Sequence, residues 1–189
     1  MKSTIKWPSF SIWPERKGTK VQIFSMAELH RQAFYSFIEE NRDYHEPWVY
    51  HQQDDRYFDA YLLGNKKGSC KSFFIFKLEG NELVGIVNIN NIMRGSLSMA
   101  SLGYYGCAEY GGRGYMREGL ELVIDYAFHD LGLKRLEANI QPNNFVSKHL
   151  IKRLGFRYEG YSVNYLKING VWCDHERYAL LHDDYRPIS

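Results

Sequence analysis

The chain has 189 residues, 44% of them hydrophobic, and 24 basic against 22 acidic side chains give a formal charge of +2. That composition excludes a disordered chain and argues against a dedicated nucleic-acid binder, whose face should be visibly basic. Three cysteines, Cys70, Cys107 and Cys173, are odd in number and widely spaced, which points away from a disulfide framework or a zinc site and toward a reducing cytosol.

The length suits one domain, 1–189, with a substantial core. Met1 to Lys20 mixes Trp and Pro with charges and lacks the apolar stretch of a signal peptide. No run approaches the roughly 18 apolar residues of a membrane span. Lys20 to Phe24 reads as a first strand. Ser25 and Glu28 have capping-box spacing, and Met26 to Glu40 is helix-like, with Phe34, Phe37 and Ile38 on one side. Asp54 or Asp55 is placed to cap a second helix carrying Phe58, Tyr61 and Leu62.

Two strands follow, Ser72 to Leu78 and Glu82 to Asn90, joined by Glu79-Gly80-Asn81, a hairpin signal. Arg94-Gly95 turns into a strand at about Ser98 to Tyr105, completing an antiparallel meander. After the glycine-rich stretch Gly111-Gly112-Arg113-Gly114, the residues Met116, Leu120, Val123, Ile124, Ala127 and Phe128 recur at helical spacing, and Gly132 fits a C-terminal cap. Leu133 to Ile140 alternates as a strand. Gln141-Pro142-Asn143-Asn144 breaks the chain before a helix over Phe145 to Leu154. Strands at about Arg157 to Ile168 and Trp172 to Leu181 close it, joined by Asn169-Gly170, the favoured dipeptide of a two-residue hairpin.

The prediction is therefore a mixed α/β chain: a twisted sheet of about six or seven strands flanked by about four helices. Its strand–helix–strand unit implies one parallel pairing with a right-handed crossover. The glycine turn lies where the antiparallel half meets that unit. A strand, a glycine turn and a helix N-terminus make an anion site, because the first helical N–H groups lack partners and the dipole is positive there. It is neither a P-loop, since Tyr115 and Met116 follow Gly114, nor a Rossmann fingerprint, whose glycine spacing differs. A plain tight connection is the alternative.

The order of elements around this turn resembles the GNAT superfamily of acetyl-CoA-dependent N-acetyltransferases. Their signature, Gln/Arg-x-x-Gly-x-Gly/Ala, meets Gly111 through Met116 here: Gly114 matches, while Gly111 and Met116 depart from it. A longer series is similar to the branch that acetylates N-terminal alanine or serine of ribosomal proteins, and most similar to the S5-alanine type. It comprises Leu102-Gly103-Tyr104, Asp125-Tyr126-Ala127-Phe128, Leu131-Gly132-Leu133, Arg135-Leu136-Glu137-Ala138, Pro142-x-Asn144-x-x-Ser147 and Leu154-Gly155-Phe156. It runs on through Glu159-Gly160 and Tyr165-Leu166 to Asn169-Gly170-x-Trp172-x-Asp174-His175. Asn41-Arg42-Asp43, Pro47-Trp48 and the stretch from Asn91 through Arg94-Gly95-Ser96 also look like that type.

The resemblance implies the GNAT fold, a coenzyme-binding core over about 83–155, acetyl-CoA as co-substrate and no metal. It implies that the backbone of Tyr104, Tyr105 and Gly106 pairs with the pantetheine arm, and that Gly111, Gly112, Arg113, Gly114, Tyr115 and Met116 hold the pyrophosphate. Asn144 would touch the pantetheine or simply cap its helix. Ser147 would meet the leaving sulfur, a role favoured because Ile151 stands where many relatives have a catalytic Tyr, or simply face solvent. Tyr165 is a second hydroxyl candidate, or a packing aromatic. Cys107 reads as a small buried residue, and His129, His149 and His175 as surface or core histidines.

No acidic residue stands at Ser101, Asn164 or Leu166, where relatives place a general base; Glu46 and Asp174 are possible substitutes. An α-amino group with a pKa of about 8 needs only about 1.4 kcal/mol to be neutral at pH 7, against about 4.6 for a lysine. A site without a carboxylate base therefore fits a protein N-terminus better than a lysine side chain. The expected acceptor is such an N-terminus or a small amine, with a weakly catalytic acyl-CoA-binding module as the rival class. The expected setting is the cytoplasm, without nucleic acid or membrane, as a monomer or homodimer.

Overall fold

The structure is a computed structural model that describes residues 13–49 and 55–187. Most of the N-terminal stretch discussed above, and Asp54, lie outside them. In chain order the elements are β1 (Arg16–Lys17), β2 (Val21–Ser25), α1 (Arg31–Glu40), α2 (Arg42–His45), α3 (Asp55–Lys67), β3 (Lys71–Lys77), β4 (Leu83–Met93) and β5 (Met99–Gly106). Then come α4 (Tyr115–His129), β6 (Arg135–Ile140), α5 (Phe145–Arg153), β7 (Arg157–Ile168) and β8 (Val171–Leu181).

The described strands form one sheet of eight, in the order β1-β2-β3-β4-β5-β6-β8-β7. Six or seven strands and four helices were expected. The additions are the two-residue β1 and the one-turn α2, both too short to show a period. Pairing is antiparallel except between β5 and β6, joined through α4 as the strand–helix–strand unit requires. The hairpin at Asn169-Gly170 has positive φ at both residues, 48° and 82°, as a two-residue turn of this type demands.

β3 explains how the sheet is buried on both faces. Phe73 and Ile75 join the core under α4, while Phe74 and Phe76 join a second core with Phe34, Phe37 and Ile38 of α1 and Phe58 of α3. Successive residues point to opposite faces, so an unbroken apolar run is what a strand covered on both sides looks like.

One expected cap is replaced. Ser25 ends β2, with its hydroxyl on Glu15, and does not cap the first helix. The helical path opens with a 3-10 turn at Glu28–His30, where the Ala27 N–H donates to His30 Nδ1 at 2.8 Å. Glu28 turns outward to Arg31. Ser25 is held in the sheet because the next amide, Met26 N–H, donates to Ser72 O on β3.

Candidate active site

β5 is longer than its parallel partnership. Its register with β6 runs from Met99↔Arg135 to Ser101↔Glu137, whereas β5 itself continues to Gly106, paired with β4 at every residue from Ser101 on. The two strands therefore part beyond Ser101. Cys107 N–H donates to Val84 O at 2.9 Å, which sets the phase of the antiparallel ladder. Gly103 and Tyr105 turn their main-chain groups toward β4, and Tyr104 and Gly106 turn theirs into the gap. His45 Nε2–H donates to Gly106 O at 2.8 Å from that side.

Tyr105 departs from its expected role as part of the pantetheine-facing backbone. Its main chain faces β4, and its phenol is buried in the second core beside Asn88 and the His45 ring. The tyrosines alternate because β5 is a strand; Tyr104 lies on the opposite face, against α5.

At the end of β5 the chain makes a short 3-10 turn, Ala108–Tyr110, and then the glycine turn. Gly114 is the N-cap of α4 at φ 84°, a left-handed conformation that places the following amides at the helix mouth. Glu118 N–H is bonded to Gly114 O at 3.1 Å, so the amides of Tyr115, Met116 and Arg117 precede the helical ladder. Arg113 is exposed, with its guanidinium 5.6 Å from the centre of the Tyr110 ring. Lys20, which no local pattern singles out, reaches the same turn: a Cβ built on Gly114 would lie 3.5 Å from Lys20 Nζ. Glu118 fixes Lys20 by accepting its main-chain N–H at 2.9 Å.

The two departures from the glycine signature have different physical standing. Gly111 has φ −56° and ψ 144°, which any residue adopts. Met116 is accommodated by the sheet. Gly85 and Gly106 are cross-strand partners, and the Met116 side chain lies over both. A Cβ on Gly85 would overlap Met116 Sδ, and one on Gly106 would stand 2.8 Å from Met116 Cγ. Gly85→Val is therefore expected to cost about 1–3 kcal/mol by overpacking. Adding Met116→Ala should recover part of it in thermal melts; equal melting with and without that second change would show that the two positions do not share the space.

On the far side of the gap, Asn144 caps α5: its Oδ1 accepts the Ser147 N–H at 3.0 Å. Ser147 Oγ lies 2.5 Å from Tyr104 OH. Ile151, one turn on, is fully buried. Tyr165 takes a hydrogen bond from Asn139 Nδ2 at 3.2 Å and packs against His175, which is buried. Cys107 is half-buried and packs beside the second core.

The corner from α1 to Trp48 spans the gap. Asn41 Oδ1 accepts the Ala108 N–H at 2.8 Å, Gln141 Nε2 donates to Trp48 O at 3.2 Å, and Asn169 Nδ2 donates to Glu46 O at 3.3 Å. Burial holds the His45 imidazole below its ordinary pKa, so it is neutral and its Nε2 carries the proton given to Gly106. Asp174, one possible substitute base, has a structural role. It accepts the Asn164 N–H at 2.8 Å and the Tyr161 hydroxyl at 2.7 Å, closing a bulge in β7. The Asn164 N–H, first, and then Tyr161 lower its pKa and weaken it as a base. Ser101 Oγ lies 3.4 Å from Asn90 O. Glu46 is exposed. Among the described residues no group of His, Cys, Asp and Glu could hold a metal, and no helix is long and apolar enough to cross a membrane.

The family model for the acetyltransferase (GNAT) domain matches residues 22–157. The chain belongs to the GNAT acetyltransferase family. This GNAT N-acetyltransferase is 37% identical to the probable N-acetyltransferase YjcK of Bacillus subtilis, over 89% of its own length and 97% of that protein. It is 34% identical to the [ribosomal protein uS5]-alanine N-acetyltransferase of Escherichia coli, over 80% of its own length and 82% of that protein. Among solved structures, Mycobacterium smegmatis RimJ in complex with CoA-disulfide superposes with a TM-score of 0.79 at 25% identity, covering 86% of this chain and 82% of that one. The GNAT fold of this enzyme thus has its coenzyme-bound counterpart in a solved neighbour.

Proposed function

We propose that this enzyme transfers the acetyl group of acetyl-CoA to the α-amino group of a protein N-terminus, with an alanine of a ribosomal protein as leading acceptor. The observation that carries the reading is the gap between β5 and β6, with the glycine turn and the α4 N-terminus at its mouth. The main chain of Tyr104 and Gly106 suits an amide-bearing arm, which would add to β5 as a strand does. The amides of Gly112 to Met116 suit a pyrophosphate, with Arg113 and Lys20 adding charge. Asn144 orients Ser147 toward the sulfur. Residues 83–155 supply most of this coenzyme-binding core.

When bound, the coenzyme supplies an activated thioester: the amine's C–N bond forms, the C–S electron pair leaves on sulfur, and the amine proton goes to water. Catalysis by this chain is then chiefly positioning and hydrogen bonding. The acceptor reading is supported by the name of the Escherichia coli relative and by the pKa argument, since the residues at the expected base positions are Ser101, Asn164 and Leu166. Three free cysteines support a cytosolic setting.

The test is thiol release from acetyl-CoA with peptides beginning Ala, Ser or Met and with free amines. Turnover is expected with Ala first. Turnover with free amines alone would move the reading to a small acceptor, and tight coenzyme binding without any turnover would make the chain a sensor. Ser147→Ala should lower kcat by about tenfold, the worth of one hydrogen bond to a charged atom, with acetyl-CoA affinity little changed. An unchanged rate would remove Ser147 from the reaction.

A further inference from the structure

Tyr104 turns its main chain into the gap, and its phenol lies 2.5 Å from Ser147 Oγ. We infer that the Tyr104 phenol is a positioning residue: it donates its hydrogen bond to Ser147 Oγ and so leaves the serine's O–H directed at the coenzyme sulfur. This rests on the coenzyme reading of the gap.

A serine hydroxyl has one hydrogen and two lone pairs. If Ser147 gave its hydrogen to Tyr104, none would be left for sulfur. A phenol is a much stronger acid than an alkyl alcohol, and hence the better donor of the two, so the direction Tyr104 to Ser147 is favoured. Burial raises the Tyr104 pKa well above its ordinary value, which keeps the donor protonated at any working pH. The serine is held on both sides: Asn144 Oδ1 takes its N–H at 3.0 Å and Tyr104 its side chain. Four residues on, the same helix face presents Ile151, which is buried and has no hydroxyl to offer. The strand thus supplies a hydroxyl that the helix lacks. Neither hydroxyl transfers its proton; sulfur keeps the electron pair of the broken bond until water protonates it.

The test is a titration of the thiol of bound coenzyme A, followed by the ultraviolet absorbance of the thiolate against the same protein with dethio-coenzyme A. The wild-type complex is expected to have a thiol pKa below that of free coenzyme A. Ser147→Ala and Tyr104→Phe should each raise it by roughly one unit, and the double variant should go no further than Ser147→Ala. Tyr104→Phe should also lower kcat by about 3- to 10-fold with KM for acetyl-CoA unchanged. If Ser147→Ala shows these losses while Tyr104→Phe keeps the wild-type thiol pKa and kcat, the inference falls and the coenzyme reading stands. A lowered melting temperature in Tyr104→Phe with no shift in the thiol pKa would likewise overturn it, as that is the mark of packing alone. If coenzyme A fails to bind the wild-type protein at all, the coenzyme reading itself falls.

Discussion

Gly114→Glu is expected to reduce acetyl-CoA affinity by at least about 100-fold, measured by calorimetric titration. Three effects act in one direction. The new carboxylate stands at the helix mouth, where a unit charge about 4 Å from a phosphate costs about 4 kcal/mol at an effective dielectric of 20. It also stands beside Lys20 Nζ, so it pairs with the cation that otherwise faces the anion. Finally, φ 84° at Gly114 is costly for any residue with a Cβ, by about 1–2 kcal/mol. Gly114→Asn separates the causes, because Asn tolerates the left-handed region and carries no charge. It should keep most of the affinity. Full affinity in the Glu variant would sink the phosphate role of the turn; equal losses in both would show that backbone geometry, and not charge, decides.

Gly119→Ala is expected to destabilise the protein, although helix propensity alone predicts a gain of about 1 kcal/mol. Gly119 is buried in the second turn of α4, where that helix lies on the sheet. A Cβ there would overlap Ile75 Cδ1 and stand 2.9 Å from both Cγ1 and Cγ2. Ile75 is fully buried and β-branched, so it cannot swing aside as Met116 can beside Gly85. Overpacking of this kind costs about 1–3 kcal/mol, or roughly 2–10 °C in Tm for a chain of this size. Gly119→Val should cost more, and Ile75→Val should return part of the loss in the Ala variant. Because α4 carries the glycine turn, coenzyme affinity should fall along with stability. A Gly119→Ala protein that melts at or above the wild-type temperature would show that the helix has room to lift.

These two glycines mark where reading the chain succeeds and stops. Gly114 was legible as the turn before a helix because strand, turn and helix follow one another in the chain. The Asn144 cap was legible for the same reason, since a side chain reaching an amide three residues on is a local event. Gly119 is a buried helix position with no local signal of its role. Its purpose lies in Ile75, on a strand distant in sequence, and no local pattern connects the two.

The partners of the site residues follow the same rule. Ser147 stood out through the resemblance carried by Pro142-x-Asn144-x-x-Ser147, while Tyr104, the hydroxyl beside it, is 43 positions away. Lys20 reaches the turn because the amide and hydroxyl of Thr19 and the amide of Lys20 are gathered by Glu118. Asp174 carried the right chemistry for a base and the wrong surroundings, since a bulge in β7 claims both its oxygens.

Local signals in the chain set every element but β1 and α2, their order and the one parallel pairing. Hydrophobic period, turn residues and caps act within a few residues and leave their mark in the letters. The glycine turn before α4 is local in the same way. How far β5 and β6 stay together, and so where the gap opens and that Tyr104 and Gly106, not Tyr105, face it, is set by the tertiary structure. It alone decided that Met116 rests on a pair of glycines, and that the corner at His45 to Trp48 spans the gap. Those are contacts between segments far apart in the chain, fixed by close packing of the whole, and packing has no period to read.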